Sequence, residues 1–330
     1  MMPAVPESTP IPPRTPRLLI ISPAKDEERY IEATIASLAS QTVLPTLWVI
    51  VDDGSSDRTG AIADEAARRY PWIKVIHRPK NRPRRVGPGV VEAFYEGLAQ
   101  ANLADFDYVC KLDADLEFAP DYFETLFRKF ASDPQLGTAS GKAYVPVGGR
   151  LVLERTGGQF SHGVAKLFRR ECFEEIGGFV REVMWDGIDC HRCRMLGWKA
   201  ESYDDPELAI IHLRQMGSSF KNIYHGRMRW GRGQYFMDTH PIYLLAIALY
   251  RLRERPWVLG GLGILLGYLQ AALQGMPRYE APGFRRHLHR WQFAELFHLA
   301  TAPIRWLTRP VAPTIVATGG PDGDYRSSEK

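Results

Sequence analysis

The chain has little cysteine, no strong charge of either sign and no long uninterrupted apolar run. Four cysteines in 330 residues, Cys110, Cys172, Cys190 and Cys193, are too few and too irregularly spaced for a disulfide scaffold, so a reducing compartment is expected. Cys190 and Cys193 form a CxxC, but with no second CxxC and no redox-type context they read as ordinary helix-borne thiols. A net charge of +4, from 42 basic and 38 acidic residues, is too mild for general nucleic-acid binding, and no nucleic-acid partner is expected. The opening "MMPAVPESTPIPPRTPR" lacks an apolar core and a basic leader, so it does not read as a signal peptide. Its prolines predict a disordered lead-in over 1–16, and "ATGGPDGDYRSSEK" predicts a disordered tail over 312–330. The most apolar portion, "IYLLAIALYRLRERPWVLGGLGILLGYLQAAL", is broken by "RLRER" and Pro256. Its pieces fall near or below the ~18–20 residues that span a bilayer.

What is present is a chain able to bury a sizeable core, 45% hydrophobic and 24% charged. "RLLIISPAKDEERYIEATIASLASQ" opens as a continuous apolar run, the pattern of a buried strand, and continues with helical spacing at Ile31, Ile35, Leu38 and Ala39. "TLWVIVDDGSSDRTGAIADEAARRY" repeats the form, with a strand ending at Val51, a turn rich in Asp, Gly and Ser, and an amphipathic helix. "WIKVIHRP", "GPGVVEAFYEGLAQAN" and "FDYVCKLDAD" supply a third strand, a third helix and a fourth strand. Such alternation predicts an α/β fold with a largely parallel, doubly wound sheet. Ligands gather at the carboxyl ends of strands in such sheets, and Pro23 to Glu27, Asp52 to Ser55 and Asp113 to Asp115 all fall there.

Asp113 and Asp115 read either as solvated turn residues or as ligands for a hard divalent cation that would neutralise their repulsion. An EF-hand is excluded, because Phe118 replaces the required Gly and Pro120 sits in the loop. Beyond about residue 216 the texture turns basic and aromatic, then apolar. This region, 216–311, reads as helices lying against a membrane interface, with Arg251, Arg253, Arg255, Arg285 and Arg286 flanking them, or as a helical subdomain packed on the domain over 17–215.

"SPAKDEERYIEATIASLASQ", "IVDDGSSDRTGAIA", "KLDADLEF" and "MWDGIDCHRCRMLGW", in this order, resemble family 2 glycosyltransferases of the GT-A fold, over roughly residues 18–215. The resemblance implies an inverting, non-processive enzyme with a Rossmann-like, mostly parallel sheet, a nucleotide-sugar donor, a UDP-sugar being favoured, and Mg2+ or Mn2+. Asp52 then corresponds to the aspartate that reads the base edge, with Pro23, Ala24 and Glu27 lining the same pocket. Asp113 corresponds to the DxD aspartate that faces ribose and sugar, and Asp115 to the one that binds the metal on the diphosphate. Arg84 or Arg85 takes the place of a phosphate-pairing lysine, or else belongs to a solvated basic loop. Counting back from Gly197 and Trp198 places the base at Asp186, with Trp185 where Glu is usual and Asp189, one turn on, as the backup. His212 reads as an additional metal or phosphate ligand or as a structural histidine. In "HGRMRW", Arg229 and Trp230 are candidates to close over the donor or stack on an acceptor sugar.

The acceptor implied is a hydroxyl of a lipid-linked or envelope saccharide, and the location cytoplasmic, peripheral at the inner face of the cell membrane. Two alternatives stand beside this: transfer to a polyprenyl phosphate, and a non-catalytic sugar-nucleotide sensor or scaffold.

Overall fold

The computed structural model describes residues 15–80, 85, 87–154, 157–214, 223–252 and 259–301. Arg84, Arg253, Arg255, Pro256, most of the predicted lead-in and all of the predicted tail lie outside the described residues. The chain opens with β1 (Leu18–Ala24), α1 (Ile31–Ala39), β2 (Leu47–Asp52), α2 (Thr59–Arg69), β3 (Ile73–His77), α3 (Pro88–Leu98), β4 (Tyr108–Leu112) and β5 (Leu116–Phe118). There follow α4 (Tyr122–Ser132), β6 (Leu136–Gly141), β7 (Ala143–Val147), β8 (Arg150–Leu153), β9 (Ala165–Arg169), α5 (Arg170–Glu175), α6 (Trp185–Met195), β10 (Lys199–Tyr203) and β11 (Ile210–His212). Four helices complete it: α7 (Ile223–Phe236), α8 (Pro241–Arg251), α9 (Leu259–Leu273) and α10 (Phe284–Thr301).

Seven strands form the main sheet in the order β10-β6-β9-β4-β1-β2-β3. β1 and β2 are apolar on both faces because helices cover both sides, as a parallel central strand requires. α3 lies so close to them that a Cβ on Gly97 would come 2.6 Å from Ile21 Cγ2. The expected doubly wound, largely parallel arrangement is present, with β9 running antiparallel between β4 and β6. A second sheet, β5-β11-β7-β8, stands beside the site and was not expected. Its strands are of three to five residues and, apart from the β7–β8 hairpin, pair across long sequence separations, which leaves almost no periodic signal.

The carboxyl-terminal helices pack on each other and on the main domain. α7 and α9 cross at glycines: a Cβ on Gly231 would sit 2.0 Å from the Ile264 carbonyl, and one on Gly267 2.0 Å from that of Met228. Phe284 and Leu288 of α10 join Ile188 of α6 and Met237 in one apolar cluster. Among the described residues no helix is long and apolar enough to cross a membrane. One stripe of α8 (Ile242, Leu245, Leu249) and one of α9 (Leu259, Leu262, Leu266, Leu269, Leu273) nevertheless stay exposed.

Candidate active site

The loops after β1 and β2 are laced together before any ligand arrives. Asp26 takes a left-handed backbone conformation (φ 55°), which aspartate tolerates better than most residues. Its Oδ1 accepts from the Ser56 backbone at 2.8 Å, while the Asp26 and Glu27 backbone N–H groups donate to Ser55 Oγ (3.0 Å) and Thr59 Oγ1 (2.7 Å). Pro23, Ala24 and Glu27 are thereby held beside Asp52, whose backbone carbonyl accepts from the Arg78 N–H at 2.8 Å. Both Asp52 oxygens are engaged: Oδ1 accepts from the Ser55 N–H at 2.9 Å, and Oδ2 lies 3.0 Å from His77 Nδ1. The hydrogen bond to Asp52, opposed by burial and reinforced by Asp64, raises the His77 pKa. A base hydrogen-bonded by Asp52 would share these oxygens.

The β4 end carries Asp113 and Asp115. Asp115 is buried, its Oδ2 2.9 Å from an Arg214 nitrogen and 3.5 Å from His212 Nε2. Burial acts to raise this carboxyl, but the hydrogen bond and charge of His212, with Arg214 and Lys111, hold it below its ordinary range. Arg214 also reaches Glu27 Oε1 at 2.7 Å, joining the β1 and β4 ends. His212 bridges Asp115 to Glu154, with Nδ1 3.2 Å from Glu154 Oε2. Burial works against its protonation, and the two carboxylates overcome that, raising its pKa to about 10. Asp113 is only partly covered and pairs with Lys111, and burial pushes its carboxyl up. The two neighbouring aspartates therefore differ: Asp115 is a compensated anion, and Asp113 is the more easily protonated.

Asp186 occupies the first turn of α6, after Met184 in the left-handed region (φ 70°). Its half-buried carboxylate makes no hydrogen bond or ion pair among the described residues. The Oδ2 lies over Gly163, 2.9 Å from where a Cβ would stand. His162, the preceding residue, is buried; its Nε2 finds no hydrogen-bond partner among the described residues and lies 3.9 Å from Glu154 Oε2. Burial lowers the His162 pKa to about 4, so the ring is neutral.

The structure disposes of several expected contacts differently. Asp189 is not open to a ligand, because it is buried against Lys166 Nζ at 2.5 Å. Trp230 is partly buried against the α7–α9 cluster, with Arg251 over its ring at 5.8 Å. Arg229 is half-buried on α7, and burial lowers its pKa. Arg85 is exposed and pairs with Glu92 at 2.9 Å. Among the described residues no three His, Cys, Asp or Glu side chains are grouped so as to hold a metal by themselves. Sequence reasoning did not single out Lys111, Glu154, His162, Gly163, Lys166 or Arg214. The two lysines carried a signal, a charge flanked by apolar residues within a strand ("YVCKL", "AKLFR"), which in a buried strand demands a partner.

Residues 19–149 match the family model described as Glycosyl transferase family 2. The chain is 26% identical over 243 residues to beta-monoglucosyldiacylglycerol synthase of Synechocystis sp., covering 67% of this chain and 48% of the relative. It is 30% identical over 190 residues to polyprenol monophosphomannose synthase of Mycolicibacterium smegmatis, covering 49% of this chain and 65% of that one. Among solved structures it is similar to a mannosyltransferase from Pyrobaculum calidifontis in complex with GDP-Man and Mn2+, with a TM-score of 0.50 and 20% identity over 90% of this chain and 79% of that one. The fold is that of a GT-A enzyme. The family match covers the amino-terminal part of the sheet, and the curated relatives include a probable glycosyltransferase of Bacillus subtilis, 24% identical over 245 residues, covering 67% of this chain and 56% of that one. It spans about half the length of the first curated relatives that it matches.

Proposed function

We propose that the chain is an inverting, metal-dependent transferase that moves a sugar from a nucleotide diphosphate donor to a hydroxyl of a lipid-linked or envelope saccharide. The observation that carries this reading is Asp186: a carboxylate with no partner among the described residues, on a helix start at the carboxyl end of the same sheet that presents Asp113 and Asp115. The acceptor oxygen attacks the anomeric carbon as its proton passes to Asp186, and the bond to the diphosphate breaks with its electron pair leaving on the nucleotide. Asp113 and Glu27 orient the donor, and Arg214 offers charge to the diphosphate.

The residues present fit a divalent cation. Asp115 Oδ2 and His212 Nε2 converge at 3.5 Å, an oxygen and a nitrogen that would hold it, and substrate phosphates commonly complete such a sphere where the protein supplies one or two ligands. Bound there, the cation supplies charge stabilisation to the departing diphosphate. In its absence Arg214 and the His212 imidazolium balance the Asp115 charge. The neighbour in complex with GDP-Man and Mn2+ supports a metal-assisted donor site.

Membrane proximity is supported by the exposed leucine stripes of α8 and α9 and by the surrounding charge. Residues 223–252 and 259–301 hold eight arginines against Asp238, Glu280 and Glu295 as their only carboxylates. An exposed apolar face in a segment with excess positive charge suits an anionic bilayer surface better than a second, equally basic copy of itself. A lipid-linked acceptor would be delivered at that surface, and one relative is named for a diacylglycerol glycolipid.

A second reading, transfer to a polyprenyl phosphate, is favoured by the name of the Mycolicibacterium relative. A phosphate acceptor is already ionised and needs no base, so Asp186→Asn would cost little. The first test is a screen of UDP-, GDP- and dTDP-sugars for Mn2+-dependent thermal stabilisation and turnover. The expected outcome is stabilisation by one nucleotide class, lost in Asp115→Ala; no stabilisation by any of them overturns the reading.

A further inference from the structure

Lys111 on β4 and Lys166 on β9 are register partners across an antiparallel pair, so their side chains emerge on one face of the sheet. Both are buried, and both ammonium groups approach the ring of Trp185, at 5.4 Å and 5.7 Å. Like charges opposite each other on a sheet repel, and two buried cations are costly to desolvate. Each has its own carboxylate, Asp113 for Lys111 and Asp189 for Lys166. Apolar side chains of similar size would serve packing at least as well. What they could not do is donate, and each lysine donates to a backbone carbonyl as well, Lys166 also reaching Cys190 Sγ at 3.3 Å. Lys111 Nζ reaches the Gly163 carbonyl at 2.8 Å, and Lys166 Nζ reaches the Asp186 carbonyl at 2.6 Å. These two backbone positions face each other: the Asp186 carboxylate rests where a Gly163 side chain would be, with Asp186 Cβ only 3.2 Å from that point.

We propose that Lys111 and Lys166, with Trp185 between them, are positioning residues that fix the Asp186 carboxylate against Gly163 and set its place relative to Asp113. Neither lysine touches the reacting atoms. Lys111 ties the donor-side aspartate to Gly163, and Lys166 ties the first turn of α6 to β9. This rests on the reading of Asp186 as the base.

The test uses the full chain and the donor identified in the nucleotide-sugar screen. Lys166→Met alone would strand Asp189 without its counter-charge, so the pair is removed together as Lys166→Met/Asp189→Leu. Gly163→Ala is the second variant, because the added methyl enters the space of the carboxylate while the donor-side residues are untouched. Both are expected to melt cooperatively and to keep nucleotide-dependent stabilisation with Mn2+. In both, kcat should fall about 10²-fold or more with the donor KM within a few-fold of wild type. Gly163→Ala added to Asp186→Asn should cost little beyond Asp186→Asn alone, since both act on one group. Wild-type kcat in the folded variants, or fully additive losses in the double variant, would overturn the positioning role. Wild-type turnover in Asp186→Asn would overturn the base reading itself, a distinguishable outcome.

Discussion

At the residue scale the chemistry depends on which carboxylates are already spoken for. Asp115, Asp113 and Asp189 each form an ion pair with a cation, whereas the Asp186 carboxylate forms none among the described residues, and under the proposed reading that difference separates a binding anion from a proton acceptor. His162 is the neutral neighbour that shares this corner. Its pKa of about 4 lies below the ordinary value of 6.5, so the native state favours the uncharged ring. The stability this contributes is complete above pH 6.5 and is lost as pH falls towards 4, by about 3 kcal/mol in all. Thermal melting across that window should show a steeper decline for wild type than for His162→Gln. Parallel curves would mean that the ring is hydrated and its burial is incomplete.

At the element scale the glycine-lined crossing of α7 and α9 is the joint most sensitive to a single methyl group. Gly267→Ala would drive a Cβ into the Met228 carbonyl, which should cost about 1–3 kcal/mol. Hydrogen exchange should quicken in α7 and α9 while β1 to β4 stay protected; uniform quickening would mean that the helices and the sheet unfold as one unit. The same scale explains what was legible beforehand. β1, β2 and β4 are buried runs that give way to Lys25-Asp26, Asp52-Asp53 and Asp113, and a strand that runs into polar residues at the carboxyl end of a parallel sheet announces both element and site. Asp52, Asp113 and Asp115 could be found for that reason, and Asp186 by its place in the "MWDGIDCHRCRMLGW" motif. Glu154, His162 and Arg214 could not, because each stands in a loop or at the end of a short strand and is brought to Asp115 or Asp186 only by tertiary contacts far apart in sequence. Lys111 and Lys166 were masked by their apolar neighbours, since a hydrophobic pattern treats one charge in a strand as an interruption and not as a partner for something distant.

The whole molecule combines the proposed donor site, at the carboxyl ends of the main sheet's strands, with helices that expose leucine stripes and are rich in arginine. Co-sedimentation with vesicles containing phosphatidylglycerol should therefore exceed that with neutral phosphatidylcholine and weaken with salt. Replacing Leu262, Leu266 and Leu269 by Glu should reduce vesicle binding about tenfold or more while leaving nucleotide binding intact. Equal partition of both proteins would assign the face to another partner. The central claim, transfer to a hydroxyl with Asp186 as base, is tested most directly by the turnover of Asp186→Asn beside its nucleotide binding. The account predicts a loss of about 10²–10⁴ in kcat with Mn2+-dependent nucleotide stabilisation unchanged. Turnover near wild type would contradict it.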